Sequence, residues 1–283
     1  MKFVPMLELI KKAAAGGYAV PSFCVWNAES MLTVLNAAEK LDAPVILMNG
    51  FSEFSLLNPY VLSSLAHALP LKTTIPAALH LDHGKSLEQV KVCIDAGYTS
   101  VMLDFSHKPF SENVEALRKV VEIARPLGVT VEGEIGSVGK IHDDTVEGEQ
   151  VSILTDPEEA LAFVNATGVD VLAVSIGNAH GNYISLPRLR FDLLEDIYSK
   201  VRIPLVLHGG SGTPDKEIKK AISLGIAKIN IASELICAVR ESLKRQWNMG
   251  KNPWVSTALV GAMRDMGEVV EKWILRVGAA GQA

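Results

Sequence analysis

Residues 76–105 read PAALHLDHGKSLEQVKVCIDAGYTSVMLDF, and this stretch decides the fold class. It contains an apolar run over Pro76–Asp82, a stretch with apolar residues at helical spacing over Leu87–Ala96, and a second apolar run over Ser100–Phe105. Runs rich in Val, Leu and Ala without strict alternation are typical of parallel strands covered on both faces. Gly97 lies where the helix must stop and turn back. The stretch therefore predicts a strand–helix–strand unit.

The same pattern recurs along the chain and predicts a closed barrel. Strand–helix alternation repeated eight times favours a (β/α)8 TIM barrel with right-handed crossovers. An open doubly wound sheet would need a glycine-rich phosphate turn after the first strand, and the sequence of residues 21–27, PSFCVWN, is not one. The predicted strands are Ala19–Val25, Pro44–Met48, Pro76–Asp82, Ser100–Phe105, Thr130–Gly136, Val171–Gly177, Pro204–Gly210 and Lys228–Ser233.

The composition fits this architecture and excludes several classes of protein. We predict a single domain over residues 1–283, with an N-terminal helix and a C-terminal helical tail, because 48% apolar residues support one large core. A net charge of −5 provides no basic surface for nucleic acid or membrane lipid. No apolar stretch has the length of a membrane span. Three scattered cysteines indicate reduced thiols in a cytoplasmic protein.

Three histidines follow three of the predicted strands. His83, His180 and His208 each lie just past an apolar run. In a TIM barrel the active site forms at the C-terminal ends of the strands, so these side chains are expected to converge. Three imidazoles with one position left open are what a catalytic zinc site requires. The alternative, that each histidine only hydrogen-bonds within a polar rim, is less consistent with three equivalent positions.

Acidic residues lie at the same predicted strand ends. Asp82 adjoins His83, where it either orients that ring or exchanges a proton with a substrate. Asp104 closes the fourth strand, and Glu132 and Glu134 alternate on the fifth. Asp104 and Glu134 are suited to a second cation site or to holding metal ligands in place. Ordinary polar pairing inside the barrel is an equally good interpretation.

The ends of the last two predicted strands suit a phosphate group. Gly209-Gly210-Ser211-Gly212 and the segment Asn230-Ile231-Ala232-Ser233 offer backbone amides and hydroxyls, which together form an anion site. The predicted sixth strand contains no lysine, and Lys228 starts the eighth strand at the wrong end for a Schiff base. Metal polarisation is therefore the better hypothesis for carbonyl chemistry.

The remaining predictions concern a loop, a helix start and the other histidines. The glycine-rich, acidic segment over residues 137–150 is predicted to be a loop that closes over a bound substrate. Thr155, followed by Asp-Pro-Glu-Glu, is predicted to cap a helix. His67 is expected to be exposed on a helix, and His80 and His107 are expected to be supporting or packing residues.

At these residues the chain resembles the class II, metal-dependent ketose-bisphosphate aldolases, from the N-terminal helix to about Glu234. Ala232 and Glu234 stand where the fructose-bisphosphate branch commonly has Asp, so the resemblance is closest to the tagatose-bisphosphate branch. The matching motifs are PAALHLDHGKSLEQV, SVMLDFSHKPFSENVE, VEGEIGSVG, GVDVLAVSIGNAHGNY, PLVLHGGSG and KINIASEL.

The resemblance implies a role for each site residue. It implies that His83, His180 and His208 bind a catalytic Zn²⁺ and that Asp82 donates a proton to the aldehyde oxygen during condensation. Asp104 and Glu134 are implied for a further divalent or monovalent cation. The family also implies a homodimer or homotetramer. Dihydroxyacetone phosphate is implied to bind Gly181, Gly209, Gly210, Ser211, Asn230, Ile231, Ala232 and Ser233.

Several positions depart from the family pattern. His142 stands where the family usually has a glutamate in the mobile loop, the suspected base at the carbon next to the carbonyl; a histidine has a pKa nearer neutrality. Phe105 replaces a common glycine, and Ile184 falls where a lysine is often found. The Met48–Ser52 turn is not the usual small polar one. Trp254, in Asn-Pro-Trp, replaces an arginine that helps to hold the distal phosphate, which argues against tight binding of a second phosphate.

The resemblance implies a zinc-dependent aldolase, a carbon–carbon lyase of carbohydrate metabolism. Its default substrate is D-tagatose or D-fructose 1,6-bisphosphate, cleaved to dihydroxyacetone phosphate and glyceraldehyde 3-phosphate. An alternative is a ketose 1-phosphate whose distal end carries a carboxylate, a sulfonate or no charge. Two alternatives of other classes are a metal-dependent hydrolase, which often has a His-x-His pair on its first strand that residues 21–27 lack, and a non-catalytic sugar-phosphate-binding subunit.

Overall fold

The computed structural model describes residues 3–69, 75–141, 152–181, 188–248 and 253–283. Its strands are β1 Val20–Cys24, β2 Val45–Asn49, β3 Ala77–Gly84, β4 Ser100–Leu103, β5 Thr130–Ile135, β6 Gly139–Ile141, β7 Val171–Val174, β8 Ala179–Gly181, β9 Leu205–Leu207 and β10 Ile226–Ile231. Eight of them close a parallel barrel in the order β1-β10-β9-β7-β5-β4-β3-β2, which confirms the predicted TIM barrel.

Helices surround the barrel and follow its strands. They are α1 Met6–Gly16, α2 Ala28–Leu41, α3 Phe51–Phe54, α4 Pro59–Ala68, α5 Leu87–Asp95, α6 Phe110–Ala124, α7 Pro157–Thr167, α8 Phe191–Val201, α9 Asp215–Ser223, α10 Ser233–Asn248 and α11 Val255–Arg276, with a 3-10 helix over Arg125–Leu127. The barrel strands are buried nearly throughout, as expected for parallel strands covered by helices on one side and filled by side chains on the other.

The two terminal segments cover different parts of the barrel. The backbone NH of Val4 donates to Ala77 O (2.9 Å), and that of Leu7 donates to Thr130 Oγ1 (2.9 Å). Because Ala77 and Thr130 begin β3 and β5, α1 lies across the N-terminal end of the barrel. Helix α11 buries Trp273 completely, and the indole Nε1 of Trp273 donates to Glu234 Oε2 (2.8 Å). The opposite end of the barrel is left for the functional side chains.

A small second sheet was not predicted. The expected sixth strand stops at Val174, and His180 lies instead in the separate strand β8. Strand β8 pairs in parallel with β6, so the start of the predicted loop is partly wrong: Gly139–Ile141 is a strand. Three-residue strands such as GKI and AHG satisfy their backbone groups through each other and carry no apolar run that the sequence pattern would reveal.

The predicted helix cap is also wrong by one residue. Asp156 Oδ1 accepts hydrogen bonds from the backbone NH groups of Glu158 (2.9 Å) and Glu159 (3.0 Å), so Asp156 is the N-cap of α7. Thr155 Oγ1 instead donates to Ile135 O (2.6 Å) and accepts from the backbone NH of Ser175 (2.8 Å). Its hydroxyl therefore joins the ends of β5 and β7, because a buried backbone group there needs a partner.

Two further predictions can be compared with the described residues. Cys24, Cys93 and Cys237 form no disulfide bonds among the described residues, and the first two are buried. Within the described ranges, none of the helices combines the length and the apolar composition needed to cross a membrane.

Candidate metal centre and active site

Three histidines from three different strand ends meet at the C-terminal mouth of the barrel. His83 is in β3, His180 is in β8, and His208 directly follows β9. One ring nitrogen from each histidine lies within 4.8 Å of one from each of the others. The ring centroids are 4.7 Å apart for His83–His208, 4.9 Å for His83–His180 and 5.6 Å for His180–His208. The convergence expected from the strand-end pattern is therefore present.

The backbone of His83 explains how two neighbouring residues both face the barrel mouth. Successive side chains of a regular strand point to opposite faces, so Asp82 and His83 would normally diverge. His83 has a φ of +47°, in the left-handed region that a histidine rarely adopts. The register with β4 shifts between Leu81 and Gly84, as at a β-bulge. This irregular strand end turns both side chains toward the site, and such strain is typical of functional positions.

A carboxylate sets the tautomer of His83. Its Nδ1 lies 2.9 Å from Asp104 Oδ2, while Asp104 Oδ1 accepts from the hydroxyl (2.8 Å) and the backbone NH (3.2 Å) of Ser106. The Nε2 atom of His83 is buried and has no hydrogen-bond partner among the described residues. With Nδ1–H donated to Asp104, the lone pair of Nε2 is directed into the cluster, as in carboxylate–histidine–metal arrangements.

His208 is arranged in the same way by a different acid. Its Nε2 lies 2.8 Å from Glu132 Oε1. Its Nδ1 is buried 3.5 Å from Glu134 Oε2 and has no hydrogen-bond partner in the part of the chain that the structure describes. His83 and His208 thus each contribute one buried nitrogen that none of these described groups satisfies. Buried polar atoms rarely remain unpaired. A set of three imidazoles with two such nitrogens fits a zinc ion.

A second possible cation site adjoins the first. His83, Asp104 and Glu134 also place ligating atoms within 4.8 Å of one another. Burial and the charge of Asp104 raise the pKa of Glu134, and its Oε2 is buried with no hydrogen-bond partner within the described ranges. The predicted pair Asp104 and Glu134 is therefore brought together beside His83.

Asp82 is held as a carboxylate beside this cluster. Its Oδ1 accepts a hydrogen bond from Asn230 Nδ2 (3.0 Å) and lies 3.7 Å from His80 Nε2, and its Oδ2 lies 4.0 Å from His83 Nε2. Burial alone would raise the pKa of Asp82, but the positive charge of His83 and the contact with His80 hold it well below its ordinary value. Asp82 is therefore an ionised carboxylate at rest.

His83 shows the reciprocal effect. Burial alone would lower the pKa of its imidazole, but the negative charge of Asp82 and the hydrogen bond to Asp104 raise it to about 9. Asp104 correspondingly has a lowered pKa, because the contacts with His83 and Ser106 outweigh its burial. A metal cation bound to His83 in place of its proton would be attracted by the same carboxylates, Asp82 and Asp104.

The predicted phosphate-site residues lie at the same end of the barrel. The backbone NH of Gly210 donates to Asn230 O (3.0 Å), and Ser211 Oγ accepts from the backbone NH of Glu234 (3.3 Å), which joins the turn after β9 to the start of α10. Gly209 has a φ of +66°, and a Cβ there would lie 2.0 Å from Ala179 O. Only glycine allows this approach, which brings the turn against the strand that contains His180 and Gly181.

The other members of the predicted set follow along β10 and into α10. Asn230 and Ile231 end β10, and Ala232 and Ser233 lead into α10. His142 and Ile184 lie outside the described residues. Trp254 is at the start of α11, where 85% of it is exposed, and Pro253 precedes it.

Two residues that sequence reasoning left without a role lie directly beneath the histidines. Glu132 and Lys228 are both fully buried, and Lys228 Nζ lies 2.8 Å from Glu132 Oε2. Burial alone would raise the pKa of Glu132, but Lys228 and His208 lower it to about 2. The alternation of Glu132 with Glu134 in the sequence indicated that Glu132 lies inside the barrel, since residues two apart in a strand place their side chains on the same face.

The comparisons with known proteins agree with the fold. The family described as fructose-bisphosphate aldolase class II matches residues 4–282. A fructose-bisphosphate aldolase of Staphylococcus epidermidis is 41% identical over 289 aligned residues, covering 100% of both chains. The crystal structure of the YdjI aldolase from Escherichia coli K12 superposes with a TM-score of 0.88 at 34% identity, covering 99% of each chain.

A more distant structure shows the fold alone. The fructose-bisphosphate aldolase of Campylobacter jejuni is 22% identical, with a TM-score of 0.83 over 100% of this chain and 97% of that one.

A TIM barrel with a histidine cluster at its C-terminal mouth defines a metal-dependent barrel enzyme. Within that class, the chain belongs to the class II fructose-bisphosphate aldolase family and is a lyase of the aldolase type. The match includes the C-terminal tail, beyond Glu234, where the sequence resemblance weakened.

Proposed function

We propose that this enzyme reversibly cleaves a ketose phosphate into dihydroxyacetone phosphate and an aldehyde. The observation that carries the proposal is a pair of buried nitrogens, His83 Nε2 and His208 Nδ1, beside the Asp82 carboxylate; neither has a hydrogen-bond partner among the residues that the structure describes. Metal-dependent retro-aldol cleavage uses a cation near the ketone oxygen and a base near the hydroxyl of the breaking bond. This cluster provides residues suited to both tasks.

In this proposal His83, His180 and His208 would hold Zn²⁺. A bound zinc ion supplies Lewis acidity, which stabilises the negative charge that develops on the ketone-derived oxygen. Asp104 and Glu132 fix the ring orientations of His83 and His208 through the hydrogen bonds described above. Asp104 and Glu134 are proposed for a further divalent or monovalent cation.

The proton transfers are assigned to Asp82 and His142. During cleavage the Asp82 carboxylate accepts the proton of the hydroxyl beside the breaking carbon–carbon bond, and the electron pair of that bond moves toward the ketone oxygen. The aldehyde leaves. The other fragment, which becomes dihydroxyacetone phosphate, is then protonated through His142 at the carbon next to its carbonyl. Condensation reverses each transfer, so that Asp82 returns its proton to the aldehyde oxygen. Asn230, which donates to Asp82, leaves Oδ2 of that carboxylate toward the His83 side.

The phosphate of dihydroxyacetone phosphate is assigned to the turn after β9 and to the junction of β10 with α10. Backbone amides and hydroxyls at these positions favour an anion, and they belong to the last two barrel strands. The proposed phosphate residues are Gly181, Gly209, Gly210, Ser211, Asn230, Ile231, Ala232 and Ser233.

D-tagatose or D-fructose 1,6-bisphosphate is the default substrate. A second candidate is a ketose 1-phosphate with a carboxylate, a sulfonate or an uncharged group at its distal end. Trp254 favours the second candidate, because an indole provides no fixed cation for a second phosphate where the family has an arginine. We also propose a homodimer or homotetramer, which sedimentation equilibrium measures directly.

The test is a cleavage assay with a substrate panel on zinc-loaded protein. We expect release of dihydroxyacetone phosphate, loss of that activity after chelator treatment, and its recovery with added zinc. A single hydrolysed product in place of two carbon fragments would point to a hydrolase. If zinc-loaded protein neither cleaves any substrate nor exchanges the α-proton of dihydroxyacetone phosphate with solvent, the chain is a binding subunit.

A further inference from the structure

A charged lysine lies in the interior of the barrel. Lys228 is fully buried in β10, with its Nζ 2.8 Å from Glu132 Oε2 and 3.4 Å from His80 Nε2. The interior of such a barrel is usually filled by layers of apolar side chains. Burial of an ammonium group is costly unless it is paired and hydrogen-bonded, so this position requires an explanation.

The first contact leads from Lys228 to the histidine cluster. Glu132 uses its two oxygens for two partners: Oε2 contacts Lys228, and Oε1 contacts His208 Nε2 (2.8 Å). A carboxylate held at one oxygen by the lysine has its other oxygen fixed in position. His208 must then donate its Nε2–H, which leaves the Nδ1 lone pair facing the cluster.

The second contact leads from Lys228 toward Asp82. Lys228 Nζ lies 3.4 Å from His80 Nε2, and the other ring nitrogen of His80, Nδ1, lies 2.8 Å from Ser100 Oγ. His80 Nε2 also lies 3.7 Å from Asp82 Oδ1. In β10, Lys228 and Asn230 are two residues apart and share the interior face, and Asn230 donates to the same oxygen of Asp82.

We propose that Lys228 is a positioning residue for the site: through Glu132 it fixes the ring of His208, and through His80 it borders the carboxylate of Asp82. This inference rests on the proposed metal site at His83, His180 and His208. It assigns to β10 a part in metal binding although that strand contributes none of the three histidines.

A purely structural role is the alternative. A buried ion pair can often be replaced by apolar groups without loss of stability, and its presence alone does not show a function. The two roles differ in what they predict for metal affinity. A pair that only fills the core affects the unfolding of the metal-free protein, whereas a positioning pair affects how tightly and in what geometry the histidines bind a metal.

The experiment compares the Lys228→Met and Lys228→Met/Glu132→Gln variants with wild type. Zinc affinity is measured by chelator competition, ligand geometry by the absorption spectrum of the cobalt-loaded protein, and stability by thermal unfolding of the metal-free protein. Lys40→Met is the matched control, because Lys40 pairs with Glu271 at the surface (2.7 Å).

We expect both Lys228 variants to bind zinc about 10–100-fold more weakly and to shift the cobalt spectrum, as loss of an outer-shell partner typically does. Lys40→Met should leave both unchanged. The neutral double variant keeps the test valid if Lys228→Met alone does not fold. Zinc affinity and a cobalt spectrum equal to wild type in the double variant would overturn the proposal. Because the experiment measures metal binding, a result that overturns the role of Lys228 can be told apart from a failure of the proposed aldol cleavage.

Discussion

Asn230 donates a hydrogen bond from its Nδ2 to Asp82 Oδ1 over 3.0 Å. The two residues come from β10 and β3, which do not neighbour each other in the barrel, so the contact crosses its mouth. Oδ1 of Asp82 accepts this hydrogen bond, and Oδ2 lies 4.0 Å from His83 Nε2. The proposed proton transfer by Asp82 leads to the first prediction.

The Asp82→Asn variant should lose cleavage activity but retain exchange of the α-proton of dihydroxyacetone phosphate. Removing a positioned general acid–base typically lowers kcat by about 10²–10⁴-fold. Proton exchange next to the carbonyl does not require proton transfer at the aldehyde oxygen, so it should continue. Steady-state cleavage and deuterium incorporation from D₂O measure the two reactions. Equal loss of both would show that Asp82 is needed for the whole site and not for one proton transfer.

Asp104→Asn should weaken zinc binding by about 10–100-fold, because the hydrogen bond from His83 Nδ1 fixes the ring that would bind the metal. Chelator competition on the purified variant measures the change. Asp192→Asn is the matched control, since Asp192 pairs with Arg190 on the surface. An Asp104 variant with the zinc affinity of the control would show that Asp104 does not orient His83.

Zinc affinity should rise with pH until the pKa of His83 is passed. Burial alone would lower this pKa, but Asp82 and Asp104 raise it to about 9, so below that pH a proton competes with the metal. One displaced proton corresponds to about a tenfold change in affinity per pH unit. The slope should flatten near pH 9, and earlier in Asp104→Asn, which lacks one of the charges that raise the pKa. A pH-independent affinity between pH 7 and pH 9 would contradict the assignment.

The same raised pKa has the opposite effect on the metal-free fold. A group whose pKa is higher in the folded state stabilises it fully below the unfolded value, here 6.5, and loses that contribution as the pH rises through about 9. Unfolding of chelator-treated protein over this interval should therefore show the contribution of His83 to stability decreasing while zinc affinity increases.

Gly209→Ala should destabilise the protein, whereas Gly267→Ala should not. A Cβ at Gly209 would lie 2.0 Å from Ala179 O, at a φ of +66°. Backbone strain and overpacking each cost about 1–3 kcal/mol, so we expect about 2–6 kcal/mol in denaturant unfolding. Gly267 lies within α11, and a Cβ there meets only Thr33 Cγ2 at 3.5 Å, so alanine should add about 1 kcal/mol through helix propensity. Similar stability of the two variants would show that the turn relaxes.

The positions of the strands and of the site residues could be read from the local pattern. Apolar runs, helical spacing and glycine stops located all eight barrel strands to within a few residues, as the observed bounds of β3 and β4 show. A strand end in a parallel barrel faces the active site whatever surrounds it, so His83 and His208 could be placed without knowing their neighbours. The short pairing of β6 with β8 was not predicted, because a strand of three residues is too short to show a periodic pattern.

By itself, the sequence determined the barrel, the family and the identity of the residues at the barrel mouth. Only the tertiary structure decided which nitrogen of each histidine faces the cluster, that Asp82 and His83 share a side, and that Lys228 is joined to His208 through Glu132. The physical reason is the separation along the chain of the groups that determine each feature. Strand and helix periodicity is local, whereas tautomers, buried ion pairs and a left-handed residue at a strand end depend on side chains that only the closed barrel brings together.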